Sequence, residues 1–448
     1  MLGTKKVRRD TWTASGIYCN MTEFHFGTDG IRGIYGKAMT EETAYRLGAT
    51  LGKRGDILIG RDNRPSSPAL SQALACGISS VGGNFTAVGV TTTPALYYLL
   101  TRSASSHGVM ITASHNPPEH NGLKVFSRRG KLSEKERLRI EEEMRRISVH
   151  LDVRFPLHED DGMLEEYKAF FRKCVGRLDG KRAVLDLAGG SGHVFKELLG
   201  TLGADVITMN AREDGMHINE RCGALHPERL LEETKRQRAD IGIALDGDGD
   251  RLVVSTKEGD LLDGDIITYL FACRMKARGI LAENKVAMTV MTNSGVLKSL
   301  SKEGITVLSC AVGDTAVAET MKAERLNLGG EQSGHIILGD YLMTGDGLFT
   351  GAMLLKSTIE QGDLSETPPP EIYPQVLLSV PVKDRSVACD SHLQSLAAEI
   401  KEDLGEGRVL VRASGTEELV RIMVEHPDKR RAQDAAERLR REVLRVDT

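Results

Sequence analysis

Aromatic residues are scarce in this sequence, and neither sign of charge dominates. Phe, Trp and Tyr make up 4% of the 448 residues, and the formal net charge is −4. Nucleic-acid binding usually needs a basic surface and stacking side chains, so this composition argues against nucleic acid as a partner. Apolar runs of the ~18 residues needed to span a bilayer are also lacking, so no membrane partner is expected.

Cysteine pairs are lacking as well. The seven cysteines are scattered, and none forms a C-x-x-C pair. This usage is typical of a reducing compartment and argues against a disulfide framework or a zinc site, so we expect a cytoplasmic protein. Residues 1–21 are basic but have no apolar segment of the kind a secretory signal carries. We expect them to form an unpacked N-terminal extension.

Short β-branched segments alternate with helical patterns along most of the chain. In the first part, ILIGRD (57–62), FTAVGV (85–90) and HGVMITAS (107–114) are separated by helical segments, and the pattern recurs twice further on. Such alternation predicts βαβ units on mixed, mainly parallel sheets. The proline-rich segment 361–374 interrupts the pattern, and a smaller α+β region follows it.

The sequence therefore predicts an α/β protein with three similar α/β domains and a smaller C-terminal α+β domain. The predicted boundaries are 22–150, 151–256, 257–366 and 367–448. A homo-oligomer is compatible with this organisation.

The segment IGIALDGDGDRLVVS (241–255) predicts a metal site. Asp246, Asp248 and Asp250 alternate with glycines between two apolar strands. Three carboxylates this close repel one another unless a cation lies among them, and their oxygens suit Mg²⁺ or Ca²⁺. An EF-hand loop is excluded because its positions 6 and 12, Gly and Glu, would be Arg251 and Lys257 here. Three protein oxygens leave room for a phosphate oxygen, which favours Mg²⁺.

The segment GVMITASHNPPEHNGLKVF (108–126) places a serine directly after an apolar strand. Ligands of open α/β sheets bind at the carboxyl ends of strands, so Ser114 lies where chemistry usually occurs. A lone loop serine is more often a cap or turn residue. His115 is a candidate partner or a local hydrogen-bonding residue, and Lys124 is a candidate acid/base or a surface charge.

Two further segments carry weaker patterns. LGGEQSGHIIL (328–338) offers Glu331, Ser333 and His335 for sugar hydroxyls, although it could be an ordinary polar turn. RVLVRASGTEELVRIMVE (408–425) places a Ser-Gly-Thr turn between two arginine-bearing strands, which suits either a phosphate nest or a plain hairpin.

Five segments, in matching order from Phe26 almost to the C-terminus, together resemble the α-D-phosphohexomutase superfamily. They are FGTDGIRG (26–33), TASHNP (112–117), DGDGDR (246–251), GEQSGH (330–335) and RASGTE (412–417). The resemblance implies four domains around a central cleft. In chain order they would be a phosphoserine domain, a metal-loop domain, a sugar-specificity domain and a C-terminal phosphate-binding domain.

The resemblance also implies a role for each motif residue. Ser114 would carry the phosphoryl group and complete the shell of one Mg²⁺ per chain held by Asp246, Asp248 and Asp250. Arg32 and Arg251 would stabilise the transferring phosphoryl, and Lys124 and His335 would move the hydroxyl proton. Glu331 and Ser333 would hold sugar hydroxyls. The non-reacting phosphate would be bound by Arg412, Ser414, Gly415, Thr416 and Arg421.

Within the superfamily, Gln332 and the segment 214–228 are similar to the phosphoglucosamine mutase branch. That branch implies a hexosamine phosphate substrate, a 1,6-bisphosphate intermediate, and a bisphosphate sugar or kinase that first phosphorylates Ser114. The phosphomannomutase/phosphoglucomutase branch is the alternative. A phosphatase would need a second metal cluster, and a non-catalytic sugar-phosphate binder should have lost Ser114 or an aspartate; the sequence shows neither feature.

Overall fold

The computed structural model describes residues 24–152, 155–414 and 418–447, which contain four β-sheets. We call each sheet with its helices a unit, numbered I to IV along the chain. The predicted extension at 1–21 lies outside the described residues. Within the described part of the chain, no helix is both long and apolar enough to cross a membrane.

Unit I is a six-stranded sheet in the order β1-β5-β4-β2-β3, with β6 paired to β5. Strand β2 is parallel to β3 and β4, whereas β5 is antiparallel to β1 and β4. Its elements are β1 (Ile31–Ile34), α1 (Glu41–Leu51), β2 (Ile57–Arg61), α2 (Ser67–Ser80), β3 (Phe85–Val90), α3 (Thr93–Arg102), β4 (His107–Ile111), β5 (His120–Ser127), β6 (Gly130–Lys131) and α4 (Glu134–Arg145).

Unit II is a five-stranded sheet in the order β11-β10-β9-β7-β8. Strand β7 is parallel to β8 and β9, and β10 is antiparallel to β9 and β11. Its elements are α5 (Leu164–Val175), β7 (Arg182–Asp186), α6 (Leu198–Thr201), β8 (Asp205–Met209), α7 (Glu228–Arg236), β9 (Ile241–Leu245), β10 (Leu252–Thr256) and β11 (Leu261–Leu262).

Unit III is a four-stranded sheet in the order β13-β12-β14-β15, with only the β14–β15 pair antiparallel. Its elements are α8 (Gly264–Ala277), β12 (Lys285–Thr289), α9 (Ser294–Lys302), β13 (Thr306–Cys310), α10 (Asp314–Glu324), β14 (Leu328–Gly330), β15 (Ile336–Leu338) and α11 (Gly347–Glu360).

Unit IV is an antiparallel three-stranded sheet in the order β16-β18-β17, covered by two helices. Its elements are β16 (Gln375–Pro381), α12 (Ser391–Leu404), β17 (Arg408–Ala413), β18 (Leu419–Glu425) and α13 (Lys429–Val446). Among the residues that the structure describes, short 3₁₀ helices span Gly52–Arg54, Asp161–Met163, Ser191–Phe195, Gly223–Leu225, Ala282–Asn284, Leu364–Glu366 and Arg385–Cys389.

The predicted α/β class and the small C-terminal unit are confirmed, and the sheets of units I to III are mixed. Each of these three sheets has a parallel part and an antiparallel edge, because the chain returns by a hairpin after β4, β9 and β14. In unit I the antiparallel pairs outnumber the parallel ones, unlike the mainly parallel pattern expected. Four of the five motifs, one in each unit, lie at loops between antiparallel strands: β4–β5, β9–β10, β14–β15 and β17–β18; the fifth, FGTDGIRG (26–33), runs into strand β1.

One apolar core joins units I, II and III, whereas unit IV has a core of its own. Helix α5 packs between α3 and α11, and a stack of aromatic rings marks this junction. Tyr98 stacks on Phe170 with 4.5 Å between ring centroids, and Phe170 stacks on Phe349 at 5.5 Å. The hydroxyl of the buried Tyr167 donates to Asp346 Oδ2 at 2.6 Å. The few aromatic residues are thus concentrated where three units meet.

Glycines allow helices α1 and α2 to approach closely in unit I. A Cβ at Gly77 would lie 2.1 Å from the Tyr45 carbonyl oxygen, and one at Gly48 would lie 2.1 Å from that of Leu74. We expect Gly77→Ala to force the two helices apart and to destabilise unit I by about 1–3 kcal/mol. The measurement is thermal unfolding followed by circular dichroism.

Gly200→Ala is the matched control, because a Cβ at this exposed position of α6 would meet no atom within 4 Å. It should leave the melting temperature unchanged or raise it slightly, since alanine restricts the unfolded chain more than glycine does. Equal melting temperatures for the two variants would contradict the proposed close packing of α1 on α2.

Candidate active site

The β9–β10 loop buries three carboxylates together. Asp246, Asp248 and Asp250 each offer an oxygen, and these oxygens lie within 4.8 Å of one another. Asp248 Oδ1 and Asp250 Oδ1 are buried and accept no hydrogen bond from the described residues. Buried carboxylate oxygens without donors are costly, and a hard cation would satisfy them. The cluster therefore fits a divalent metal ion.

Lys124 on β5 offsets part of this charge from unit I. Its buried Nζ donates to Asp248 Oδ2 at 2.6 Å and to Asp250 Oδ2 at 2.9 Å. Burial alone would lower the pKa of Lys124, but the carboxylates of Asp248, Asp250 and Asp29 outweigh it and raise that pKa. Burial would likewise raise the pKa of Asp250, but Lys124 and neighbouring cations hold it below its ordinary value. Both groups are therefore charged at neutral pH.

Ser114 lies against the same cluster. Its buried hydroxyl donates to Asp246 Oδ2 at 2.7 Å, and its Oγ is 3.4 Å from His115 Nδ1. Burial, together with the charges of Asp248 and Asp250, raises the pKa of Asp246 well above its ordinary value. The hydroxyl is thus fixed at the edge of the aspartate cluster by a residue from a different unit.

Two arginines, Arg32 and Arg251, lie close to the loop that carries Ser114 and His115. Burial, with the charges of Arg251 and Arg32, lowers the pKa of His115 to about 4, so its ring is neutral at pH 7. Arg32 donates to Asp29 Oδ2 at 2.6 Å. The Nε atoms of Arg32 and Arg251 are buried and donate to none of the described residues. Guanidinium groups that have unused donors and act on His115, the residue next to Ser114, suit an anion such as phosphate.

The GEQSGH motif (330–335) adjoins the β9–β10 loop, which carries the three aspartates. Ser333 Oγ donates to Glu331 Oε1 at 2.6 Å, and the Leu252 amide donates to the Gly334 carbonyl at 3.1 Å. His335 Nε2 accepts from the Gly345 amide at 2.9 Å, which requires that nitrogen to be unprotonated. Gln332 lies 3.4 Å from both Asp263 and Gln375. Units II and III therefore meet at this loop.

The RASGTE motif of unit IV begins at Arg412, near the end of strand β17 in the β17–β18 hairpin. Arg412 and Arg421 are paired directly across the two strands, and both are exposed. Two guanidinium groups at opposed positions suit an anion such as phosphate, which can accept charge-assisted hydrogen bonds from both. Ser414 is buried, whereas Gly415 and Thr416 lie outside the described residues.

The base of this hairpin is fixed to unit III. Arg408 Nη2 donates to the Met291 carbonyl at 3.1 Å, and Glu425 accepts from the Ser294 amide at 2.8 Å. The arginine pair is therefore carried at the end of the hairpin away from these hydrogen bonds.

Two contacting residues, Thr93 and Lys131, were not predicted from the sequence. Thr93 Oγ1 donates to Asp248 Oδ2 at 2.5 Å, at the start of α3. Lys131 contacts both Asp29 and, at 2.5 Å, Asp314 Oδ2, which links units I and III. The position of TTTP (91–94) directly after strand β3 could have indicated Thr93, because ligands collect at such ends. For the Lys131 bridge the sequence carried no comparable pattern.

Family models of the four phosphoglucomutase/phosphomannomutase domains match the chain in order. Alpha/beta/alpha domains I, II and III match residues 23–150, 169–259 and 263–372, and the C-terminal domain matches residues 377–442. The chain belongs to the phosphoglucomutase/phosphomannomutase family. The resemblance stated from the five sequence segments is thereby confirmed.

Similar proteins of this family are named phosphoglucosamine mutase. The one from Bacillus licheniformis is 40% identical over 426 residues, and the one from Brevibacillus brevis is 39% identical over 427 residues. Each alignment covers 90% of this chain and 95% of the relative. A phosphoglucomutase/phosphomannomutase family protein from Burkholderia thailandensis has a similar crystal structure, with a TM-score of 0.78 and 25% identity. That match covers 94% of this chain and 97% of the other.

The buried aspartate cluster leads to a prediction for metal binding. Asp248→Asn removes one carboxylate charge from the cluster, so Mg²⁺ affinity should fall by more than ~10-fold, the loss that even an outer-shell change can cause. The measurement is isothermal titration of the protein with MgCl₂. Asp260→Asn, at an exposed carboxylate in the same unit, is the control and should bind like the wild type. Unchanged affinity in the Asp248 variant would refute the site.

Proposed function

We propose that this chain is a phosphoglucosamine mutase, which interconverts glucosamine 6-phosphate and glucosamine 1-phosphate. Its relatives at about 40% identity over nine-tenths of the chain carry that name. The observation that supports this chemistry is the hydrogen bond from the Ser114 hydroxyl to Asp246, at the edge of the buried carboxylate cluster. A phosphoryl group on this oxygen would lie beside the cluster, and Arg32 and Arg251, which act on the adjacent His115, have unused Nε donors to offer it.

In the first step, Ser114 is the phosphoryl donor. The bond between phosphorus and Ser114 Oγ breaks while a bond from phosphorus to O1 of glucosamine 6-phosphate forms, which gives glucosamine 1,6-bisphosphate. Lys124 and His335 are the candidates for moving the O1 proton; Lys124, which is protonated in the resting site, would first have to pass its own proton to a neighbouring carboxylate of the aspartate cluster. Arg32 and Arg251 stabilise the negative charge on the transferring group, because such reactions depend mainly on positioning and charge neutralisation.

Asp246, Asp248 and Asp250 would hold one Mg²⁺, and a phosphate on Ser114 would complete its coordination. When bound, the ion supplies charge neutralisation for the phosphoryl oxygens.

In the second step, the bisphosphate presents its other end to the serine. The bond between phosphorus and O6 breaks, the bond to Ser114 Oγ forms again, O6 takes up the proton that O1 lost in the first step, and glucosamine 1-phosphate leaves. Arg412 and Arg421, with Ser414, Gly415 and Thr416, bind the phosphate that is not reacting, while Glu331 and Ser333 bind sugar hydroxyls. The first phosphate on Ser114 comes from a bisphosphate sugar or from a kinase.

Ser114→Ala tests the carrier role. The variant should fold like the wild type but lose nearly all turnover, because the phosphoryl acceptor is missing. Intact mass of the wild type should show a species heavier by roughly 80 Da, the mass of one added HPO₃, and the variant should lack it.

Ser80→Ala, at an exposed helix position, is the matched control and should keep both the activity and the heavier species. Substantial mutase activity in the Ser114 variant would exclude a phosphoserine mechanism.

Substrate preference tests the assignment to glucosamine phosphate. Glu331 and Ser333 are proposed to bind the 3- and 4-hydroxyls, whose configuration glucosamine, glucose and mannose share, so discrimination must arise around C2. A site that pairs a polar substrate group separates analogues by more than the ~10–200-fold of steric fit alone. We expect kcat/KM for glucosamine 6-phosphate to exceed that for mannose 6-phosphate by one or more orders of magnitude, with glucose 6-phosphate as a weak side substrate.

The assay compares the three 6-phosphates at fixed Mg²⁺ and bisphosphate activator. Equal or faster turnover of mannose 6-phosphate would instead assign the chain to phosphomannomutase activity and leave the serine chemistry intact.

A further inference from the structure

The backbone of Ser114 is in a conformation that serine rarely adopts. Its φ is 51°, in the left-handed region. Such a conformation costs on the order of 1–3 kcal/mol and persists only where surrounding contacts enforce it. In the β4–β5 loop, those contacts converge on two carbonyl oxygens, Ser114 O and Asn116 O.

Arg64, from the same unit, provides one set of contacts. Its fully buried guanidinium donates through Nη2 to Ser114 O and to Asn116 O, both at 2.8 Å. Nη1 donates to His120 O at 3.0 Å, and Nε donates to Asp62 Oδ2 at 2.8 Å. Arg64 therefore holds the loop to the rest of unit I.

Asn219, from unit II, provides a second set of contacts with the same two oxygens. Its Nδ2 donates to Ser114 O at 2.9 Å and to Asn116 O at 3.0 Å. Its own backbone has φ 61°, and its amide donates to the Ala188 carbonyl at 2.8 Å. The side chain is thus fixed in unit II while it bonds the serine loop of unit I.

The aspartate loop packs against the same atoms. A Cβ at Gly247 would lie 2.6 Å from Ser114 O and 2.9 Å from Asn219 Nδ2, so this position requires glycine. Asn219 therefore touches the serine loop and lies against the loop that carries Asp246, Asp248 and Asp250. It is one of the points at which the relative position of the two loops is fixed, beside the hydrogen bond from Ser114 Oγ to Asp246.

We infer that Asn219 is a positioning residue, which fixes the serine loop of unit I against the aspartate loop of unit II during phosphoryl transfer. This inference rests on the proposed function. An in-line transfer requires Ser114 Oγ in a defined place, and a displacement of about 1 Å can reduce the rate ~10²-fold. Asn219 lies in the segment 214–228, to which the proposed mechanism assigns no other task.

Two substitutions separate the side-chain amide from the backbone conformation. Asn219→Gly keeps a residue that adopts φ 61° readily but removes the donor. Asn219→Asp keeps the size but sets a carboxylate oxygen against two carbonyl oxygens. Because the proposed mechanism gives Asn219 no part in substrate binding, both variants should lower kcat by ~10–100-fold, the range expected for a small misplacement, and leave KM nearly unchanged.

The readouts are steady-state kcat and KM with glucosamine 6-phosphate, together with single-turnover transfer of labelled phosphate from phosphorylated Ser114. Melting temperatures show whether each variant folds. If the Asp variant does not fold, the kinetics of the Gly variant alone test the inference. Asn63→Asp is the matched control: Asn63 Nδ2 donates to the Gly189 carbonyl at 2.9 Å, which also joins units I and II but bypasses the serine loop. Its kcat should stay close to that of the wild type.

The outcomes distinguish the inference from the proposed function. A Gly variant with wild-type kcat and transfer rate would overturn the positioning role alone. An equal loss of kcat in the Asn63 control would also overturn it, because any contact between units I and II would then suffice. A wild-type protein that turns over none of the three hexose 6-phosphates would overturn both.

Discussion

Three aspartate carboxylates lie buried within 4.8 Å of one another, and the need to balance their charge governs the surrounding structure. Like charges that are removed from water repel strongly unless cations or protons offset them. Lys124 from unit I and Arg251 from the loop itself supply positive charge, and unused oxygens remain for a metal ion. Since Lys124 comes from another unit, the same charge balance holds two units together.

Apolar packing brings the polar loops to one place. Units I, II and III share one core, and α5 with its aromatic rings lies at their junction. The loops that carry Ser114, the three aspartates and Glu331 belong to these same three units. Unit IV has a separate core, and it carries the paired arginines at the tip of its hairpin. The proposed bisphosphate needs contacts at both of its ends. The loops of units I to III would contact one end, and the hairpin of unit IV would contact the other.

Each unit contributes one loop between antiparallel strands, and each loop carries or adjoins a different chemical group: a hydroxyl, a carboxylate cluster, a carboxylate–hydroxyl pair and guanidinium groups. The hairpin return explains why each sheet of units I to III has an antiparallel edge beside its parallel strands. It also explains the close contact between loops, because short hairpin loops hold their side chains near the sheet edge. Backbone bonds such as Leu252 N to Gly334 O then join neighbouring loops directly.

The sequence by itself determined the α/β class, the small last unit and the aspartate cluster, because apolar strands bounded by Gly and Pro, and alternating Asp and Gly, depend only on near neighbours in the chain. The motif order also identified the family. The domain boundaries, the cytoplasmic location and the role of each site residue stay predictions. The resemblance implied that Ser114 and the aspartate loop meet, and only the tertiary structure gave the contacts that bring them together. Asp246 is 132 positions from Ser114, Asp248 is 124 from Lys124, and Asn219 is 105 from Ser114. Contacts at such separations arise from the packing of whole units, which leaves no local pattern in the sequence.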